Sequence, residues 1–227
     1  MNILAEIEKL INEFNQTNDE DFEIDSIRIE FSKQHKKEQL EKIGVWRKIN
    51  KNDKKIMNKL KKRLDTSEIT SAYQLEDYNI YYYNSNKDKP KYRKAMMVIF
   101  GLKQYHKSPP PQHIVRMILS ILKNVSSVDI CKDFLYKPSL QQIKQHFNLK
   151  RYVEPRTRTP TETYYINNTG LSMIEKFTIY NKQIKNNLNF TCWRIEALIT
   201  IPNSKFLALP LQEFKQVSNL MGAQSND

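Results

Sequence analysis

The stretch EKFTIYNKQIKNNLNFTCWRIEALITI, residues 175–201, holds two runs that alternate in character. In the first, Phe177 and Ile179 fall on one side of an extended chain and Thr178, Tyr180 and Lys182 on the other. In the second, Trp193, Ile195, Ala197 and Ile199 oppose Arg194 and Glu196. Successive side chains of a strand point to opposite faces, so a period of two with one apolar side predicts a strand lying on a core. Both runs also carry polar groups that a buried strand normally avoids: Tyr180 and Lys182 in one, Arg194 and Glu196 in the other.

A third run extends the pattern. In VSSVDICKDF, residues 125–134, Ser127, Asp129, Cys131 and Asp133 share one face and Val128, Ile130 and Phe134 the other. If the three strands are sheet neighbours, Asp, Glu, Arg, Tyr and Lys side chains converge. Carboxylates from adjacent strands supply the oxygen ligands that Mg²⁺ or Mn²⁺ takes, and such an ion polarises a phosphodiester. A tyrosine beside them can attack phosphorus, with a cation such as Lys182 stabilising the developing charge.

Around this centre the chain alternates helices and strands. Leu4, Ile7, Leu10, Ile11 and Phe14 predict an amphipathic first helix, and Ile27, Ile29 and Phe31 predict a first strand whose other face carries Arg28 and Glu30. Residues 34–64 are lysine-rich and helix-prone. The segments 78–86 and 92–102 read as a hairpin around NSNKDKP, and SPPPQHIVRMILSILKN (108–124) reads as a buried helix opened by prolines. Ser139 with Gln142 predicts a capping box on a short helix. A basic loop, NLKRYVEPRTRTPTE, leads into the strand TYYIN, and another short helix is expected after Pro210. The predicted division is an N-terminal helix over 1–21, one catalytic unit over 22–202, and a C-terminal tail over 203–227. The expected class is α+β: a mainly antiparallel central sheet with helices packed on one face.

Composition narrows the partner. The 227 residues include 37 Lys and Arg against 25 Asp and Glu, a formal charge of +12. That balance favours a polyanion. No basic amphipathic helix lies beside a hydrophobic anchor, so nucleic acid is preferred to a membrane. No signal peptide or transmembrane run opens the sequence, and a cytoplasmic protein is expected. Cys131 and Cys192 form no metal-binding or disulfide pattern and read as buried thiols.

At these residues the sequence resembles the trans-acting initiators of plasmid rolling-circle replication, which belong with the wider set of rolling-circle initiators and conjugative relaxases. The resemblance spans roughly residues 22–202. It rests on DSIRIEF, then SSVDICKDF, then TYYINNTGLSMIEKFTIYNK, then WRIEAL, in that order. It implies a nick in one strand through a covalent 5′-phosphotyrosine, dependence on Mg²⁺ or Mn²⁺, a homodimer, and a host helicase recruited afterwards. Double-stranded origin DNA and single-stranded DNA are the implied substrates.

Carried over by motif, Asp129, Asp133 and Glu196 would hold the metal, Tyr180 would be the nucleophile and Lys182 its cationic partner, with Tyr164 and Tyr165 as rival nucleophiles. Lys150, Arg151, Arg156 and Arg158 in the basic loop, together with Arg194, are expected to contact DNA. The sequence departs from the family pattern at Ser127, where an arginine is usual. It also lacks the His-hydrophobic-His pair of the wider class, since His35, His106, His113 and His146 are dispersed.

Two other readings compete. His113 to Arg116 has the H-x-x-R spacing of tyrosine recombinases, although the downstream half reads as strands rather than helices. A basic sheet domain that binds a DNA repeat without cutting it would use the same interleaved aromatic and basic residues through stacking and phosphate contacts.

Overall fold

A computed structural model describes residues 3–50, 52–62, 69, 71–84, 94–103 and 109–221. The chain forms two compact units: one of residues 1–6, 26–102 and 109–126, the other of residues 7–25, 103–108 and 127–227. Both combine helices with antiparallel strands, so the protein is α+β.

The first unit holds β1 (Glu23–Ser32) from Ser26 onward, α2 (Lys33–Glu41), β2 (Trp46–Lys48), α3 (Lys54–Lys62), β3 (Ser71–Leu75), β4 (Ile80–Asn84), β5 (Lys94–Ile99) and α4 (Gln112–Leu122). Its strands lie in the order β2-β3-β4-β5-β1, every pair antiparallel. The predicted hairpin is the β4–β5 pair, and its turn lies outside the described residues. Alternation sorts the tyrosines. Tyr81 and Tyr83 pack with Ala72 and Val98 beneath Met57 and Leu60 of α3, whereas Tyr82 on the other face stacks on Tyr73 and meets Trp46.

The lysine-rich segment is not one helix. It breaks after α2 at Gly44, where an added Cβ would stand 2.8 Å from Glu76 Oε1 and 3.0 Å from Leu75 Cδ1. Trp46 then pairs with Leu75, and its indole N–H donates to the Leu40 carbonyl at 2.8 Å. Long-range pairing of a β-compatible triplet here overrides the helical propensity of its flanks.

The second unit holds most of α1 (Ile3–Asn18), β6 (Ser127–Phe134), α5 (Gln141–His146), β7 (Lys150–Val153), β8 (Pro160–Ile166), β9 (Ile174–Asn181), α6 (Lys182–Asn186), β10 (Trp193–Thr200) and α7 (Leu211–Asn219). Its strand order is β6-β10-β9-β8-β7, again antiparallel throughout. Helices cover the apolar face: Phe177 meets Phe147 just beyond α5 at 6.3 Å and Phe214 of α7 at 6.2 Å, and Phe214 meets Phe22 at 4.6 Å. The helix expected after Pro210 is therefore part of the core.

Two local expectations change. The basic loop is largely a hairpin, β7 and β8, turning through residues 154–159 with Arg158 at φ 53°. The capping box does not form, because α5 starts one residue late: Ser139 Oγ accepts from the Gln141 N–H at 3.4 Å, and Leu140 is the cap.

Candidate functional site

The site lies on the second unit's sheet face opposite Phe177 and Phe214, and strand register builds it. β10 pairs with β6 so that Arg194 stands opposite Asp133, Glu196 opposite Cys131 and Leu198 opposite Asp129. On its other side Arg194 stands opposite Tyr180 and Glu196 opposite Thr178. Directly paired residues of antiparallel strands project to the same face, so one row reads Asp133, Arg194, Tyr180 and the next Cys131, Glu196, Thr178. Asp129 lies a further row along, beside Leu198.

Arg194 is the hub, with no exposed surface. Its Nε and Nη2 donate to Asp133 Oδ1 and Oδ2 at 2.5 and 2.7 Å, a bidentate pair. Its Nη1 donates to Asp25 Oδ1 at 2.7 Å and to the Lys103 carbonyl at 3.0 Å. Burial alone would weaken the guanidinium's hold on its proton, but the Asp133 hydrogen bonds outweigh that and raise its pKa above the ordinary arginine value.

Tyr180 is 4% exposed, and its hydroxyl donates to Glu196 Oε1 at 2.7 Å. Burial and then the Glu196 carboxylate push its pKa well above that of a free tyrosine, against the opposing pull of Arg194. Lys182 opens α6 rather than closing the strand, because the Asn181 side chain caps the helix by accepting from the Ile184 N–H at 3.0 Å. Its ammonium still reaches the cluster, 3.7 Å from Asp133 Oδ2 and 3.3 Å from the Lys103 carbonyl. Burial and Arg194 lower its pKa.

Tyr180, Lys182, Asp133, Glu196 and Arg194 are thus brought together. Arg194, which the sequence reading assigns to DNA, is buried with four hydrogen bonds holding its guanidinium inside the cluster. The expected carboxylate set does not fit a metal ion: Arg194 takes both oxygens of Asp133, Tyr180 takes one of Glu196, and the Cys131 row separates Asp129 from Asp133. Among the described residues, no three His, Cys, Asp or Glu side chains are grouped to hold a metal. Cys131 and Cys192 are buried free thiols, as read from sequence, and burial raises the pKa of both.

Lys150, Arg151, Arg156 and Arg158 are exposed on the β7–β8 hairpin, with Arg151 Nε donating to the Thr161 carbonyl at 2.7 Å. His113 and Arg116 are exposed on α4 of the first unit, whereas the tyrosine–carboxylate pair belongs to the second.

Sequence reasoning missed Asp25 and Lys185. Asp25 is 169 residues from Arg194 in the chain, and no local signal marks it. The exposed Lys185 lies with its ammonium 3.9 Å from the centroid of the Tyr180 ring, and the cap at Asn181 is the signal that folds it back. Among the described residues no helix is long and apolar enough to cross a membrane.

No family model matches the chain, and no curated protein matches it in sequence. Among solved structures it is similar to a rolling circle replication initiator protein from Geobacillus stearothermophilus, with 9% identity and a TM-score of 0.39 over 89% of this chain and 97% of that one. A likeness this loose transfers no residue's role.

Proposed function

We propose that this chain is a cytoplasmic DNA-binding protein that breaks and rejoins one strand at a replication origin through Tyr180. The observation that carries the reading is the 2.7 Å hydrogen bond from the Tyr180 hydroxyl to Glu196, a nucleophile beside a base. It is supported by the order of the strand motifs in sequence and by the basic charge.

In the proposed step the Tyr180 oxygen bonds to phosphorus as its proton passes to Glu196. The P–O3′ bond breaks and the 3′ oxygen takes a proton from water as it leaves. The 5′ phosphate stays on the tyrosine, so reversal by a 3′ hydroxyl reseals the strand without external energy. Arg194 is a positioning residue, fixing Asp133 and standing 4.0 Å from Glu196 Oε1. Lys185, exposed above the tyrosine ring, is suited to draw in the phosphate. Because Tyr180 is buried as placed, a phosphodiester reaches it only after its surroundings rearrange. No step is assigned to Mg²⁺ or Mn²⁺, and the need for either is a variable of the assay. A homodimer and a host helicase belong to the same proposal.

A second reading, DNA binding without cleavage, is favoured by the burial of Tyr180 and its raised pKa, which make the phenol a poor nucleophile at rest. Incubation with supercoiled DNA carrying the chain's own gene, with and without Mg²⁺ or Mn²⁺, separates the two. The first reading gives relaxed DNA and a protein–DNA adduct lost in Tyr180→Phe. The second gives a retarded complex and intact DNA.

A further inference from the structure

The sheet face that carries Tyr180 continues past the charged cluster to the free edge of the unit, and its residues change character on the way. Across β9, β8 and β7, Thr178 stands opposite Tyr165, and Tyr165 opposite Lys150. Tyr152 follows two residues after Lys150, and its ring meets the Tyr165 ring edge-on at 6.1 Å. Lys176, two residues before Thr178 on the same face, holds its ammonium 4.1 Å from the Tyr165 centroid. The helical cover is on the other side, where Phe147 and Phe214 flank Phe177.

We propose that this half-exposed strip is a track for single-stranded DNA. Bases lie against Tyr165 and Tyr152, and phosphates lie on Lys150, Lys176 and Lys185. Aromatic platforms interleaved with lysines suit a single strand, because every base offers a ring face and every nucleotide one negative charge, whereas a duplex hides its base faces in the stack. Register gives the track a direction. Thr163 of β8 stands directly opposite Tyr180, and Tyr165 is its diagonal neighbour, about 7–8 Å away by ordinary sheet geometry. Bases held on Tyr165 therefore bring the adjoining phosphate towards Lys185 and Tyr180. That last point rests on the proposed nicking function; the binding itself does not.

The test is fluorescence anisotropy with a labelled oligothymidine of about 16 nucleotides, the upper end of the site size of single-strand-binding folds, and a duplex of equal length. Tyr180→Phe serves as the parent protein, without divalent metal, so cleavage plays no part. Adding Tyr165→Ala is expected to weaken oligothymidine binding about ten-fold, the loss of one stacked base, and to leave duplex binding within two-fold or so. Tyr165→Phe, which keeps the ring, retains the affinity and controls for folding. Replacing Lys150, Lys176 and Lys185 by Gln lowers the salt slope for the single strand by about 0.7 per lysine. Unchanged oligothymidine binding in Tyr165→Ala, or equal losses for single strand and duplex, overturns the track. A parent that binds oligothymidine through Tyr165 while the native chain never cuts DNA supports the track and removes the nicking function.

Discussion

Arg194 holds Asp133 of the neighbouring strand with two parallel hydrogen bonds, 2.5 and 2.7 Å long. Its third donor arm reaches Asp25, so one guanidinium joins residues from three distant segments. Removing one side of a buried pair strands the other charge, which typically costs about 3–5 kcal/mol. Arg194→Met should lose about that much in urea unfolding. Arg194→Lys should recover little of it, because an ammonium cannot make the bidentate contact. Pairing Arg194→Met with Asp133→Leu should cost clearly less than the sum of the single changes.

Alkaline pH reports on the buried phenols. A tyrosine whose folded pKa lies above its unfolded value binds its proton more tightly when folded. Its stabilisation is complete below the unfolded value near 10 and is lost as pH rises towards the folded value. Burial raises Tyr180 well above 10, Tyr82 to about 12, and Tyr81 and Tyr83 upward as well. Urea midpoints should therefore fall as pH rises above about 10 and go on falling towards about 12, and the fall should be smaller in Tyr180→Phe. An equal fall in both proteins would place Tyr180 outside the buried set.

The apolar face sets the unit's stability. Phe177 sits between Phe147 and Phe214, and Phe177→Ala should destabilise by about 3–5 kcal/mol through lost burial and a residual cavity, measured by denaturant unfolding.

Duplex binding should depend steeply on salt through the β7–β8 hairpin. Replacing Arg156 and Arg158 by Gln should reduce the slope of log K against log salt by about 0.9 for each phosphate that is no longer neutralised, across all duplex sequences. Binding that barely weakens as salt rises would exclude the hairpin as a phosphate-binding element.

Period-two alternation made much of this arrangement legible in the residues themselves. It placed Tyr180, Arg194, Glu196 and Asp133 on one face and Phe177, Ile179, Trp193 and Ile195 on the other, as the register of β6, β9 and β10 has them. Alternation reports the face of a side chain but not its partner. It therefore gives no sign that Asp25, from a distant segment, joins Asp133 on Arg194, or that Tyr180 donates to Glu196. The short strand at Trp46 and the helical turn at Lys182 escaped for a related reason. One is fixed by pairing with Leu75 and the other by a single capping side chain, and neither leaves a periodic trace.

The rival tyrosines separate by substitution. On the proposed reading, Tyr164→Phe and Tyr165→Phe keep the ability to form an adduct, and Tyr180→Phe loses it, because Tyr180 is the tyrosine whose hydroxyl donates to Glu196.

The most direct measurement is peptide mass mapping of the protein after reaction with supercoiled DNA carrying its own gene and digestion of the DNA. The account predicts a nucleotide mass on the peptide containing Tyr180, absent when Glu196 is changed to Gln. A nucleotide on Tyr164 or Tyr165, or nicked DNA with no adduct at all, would contradict it.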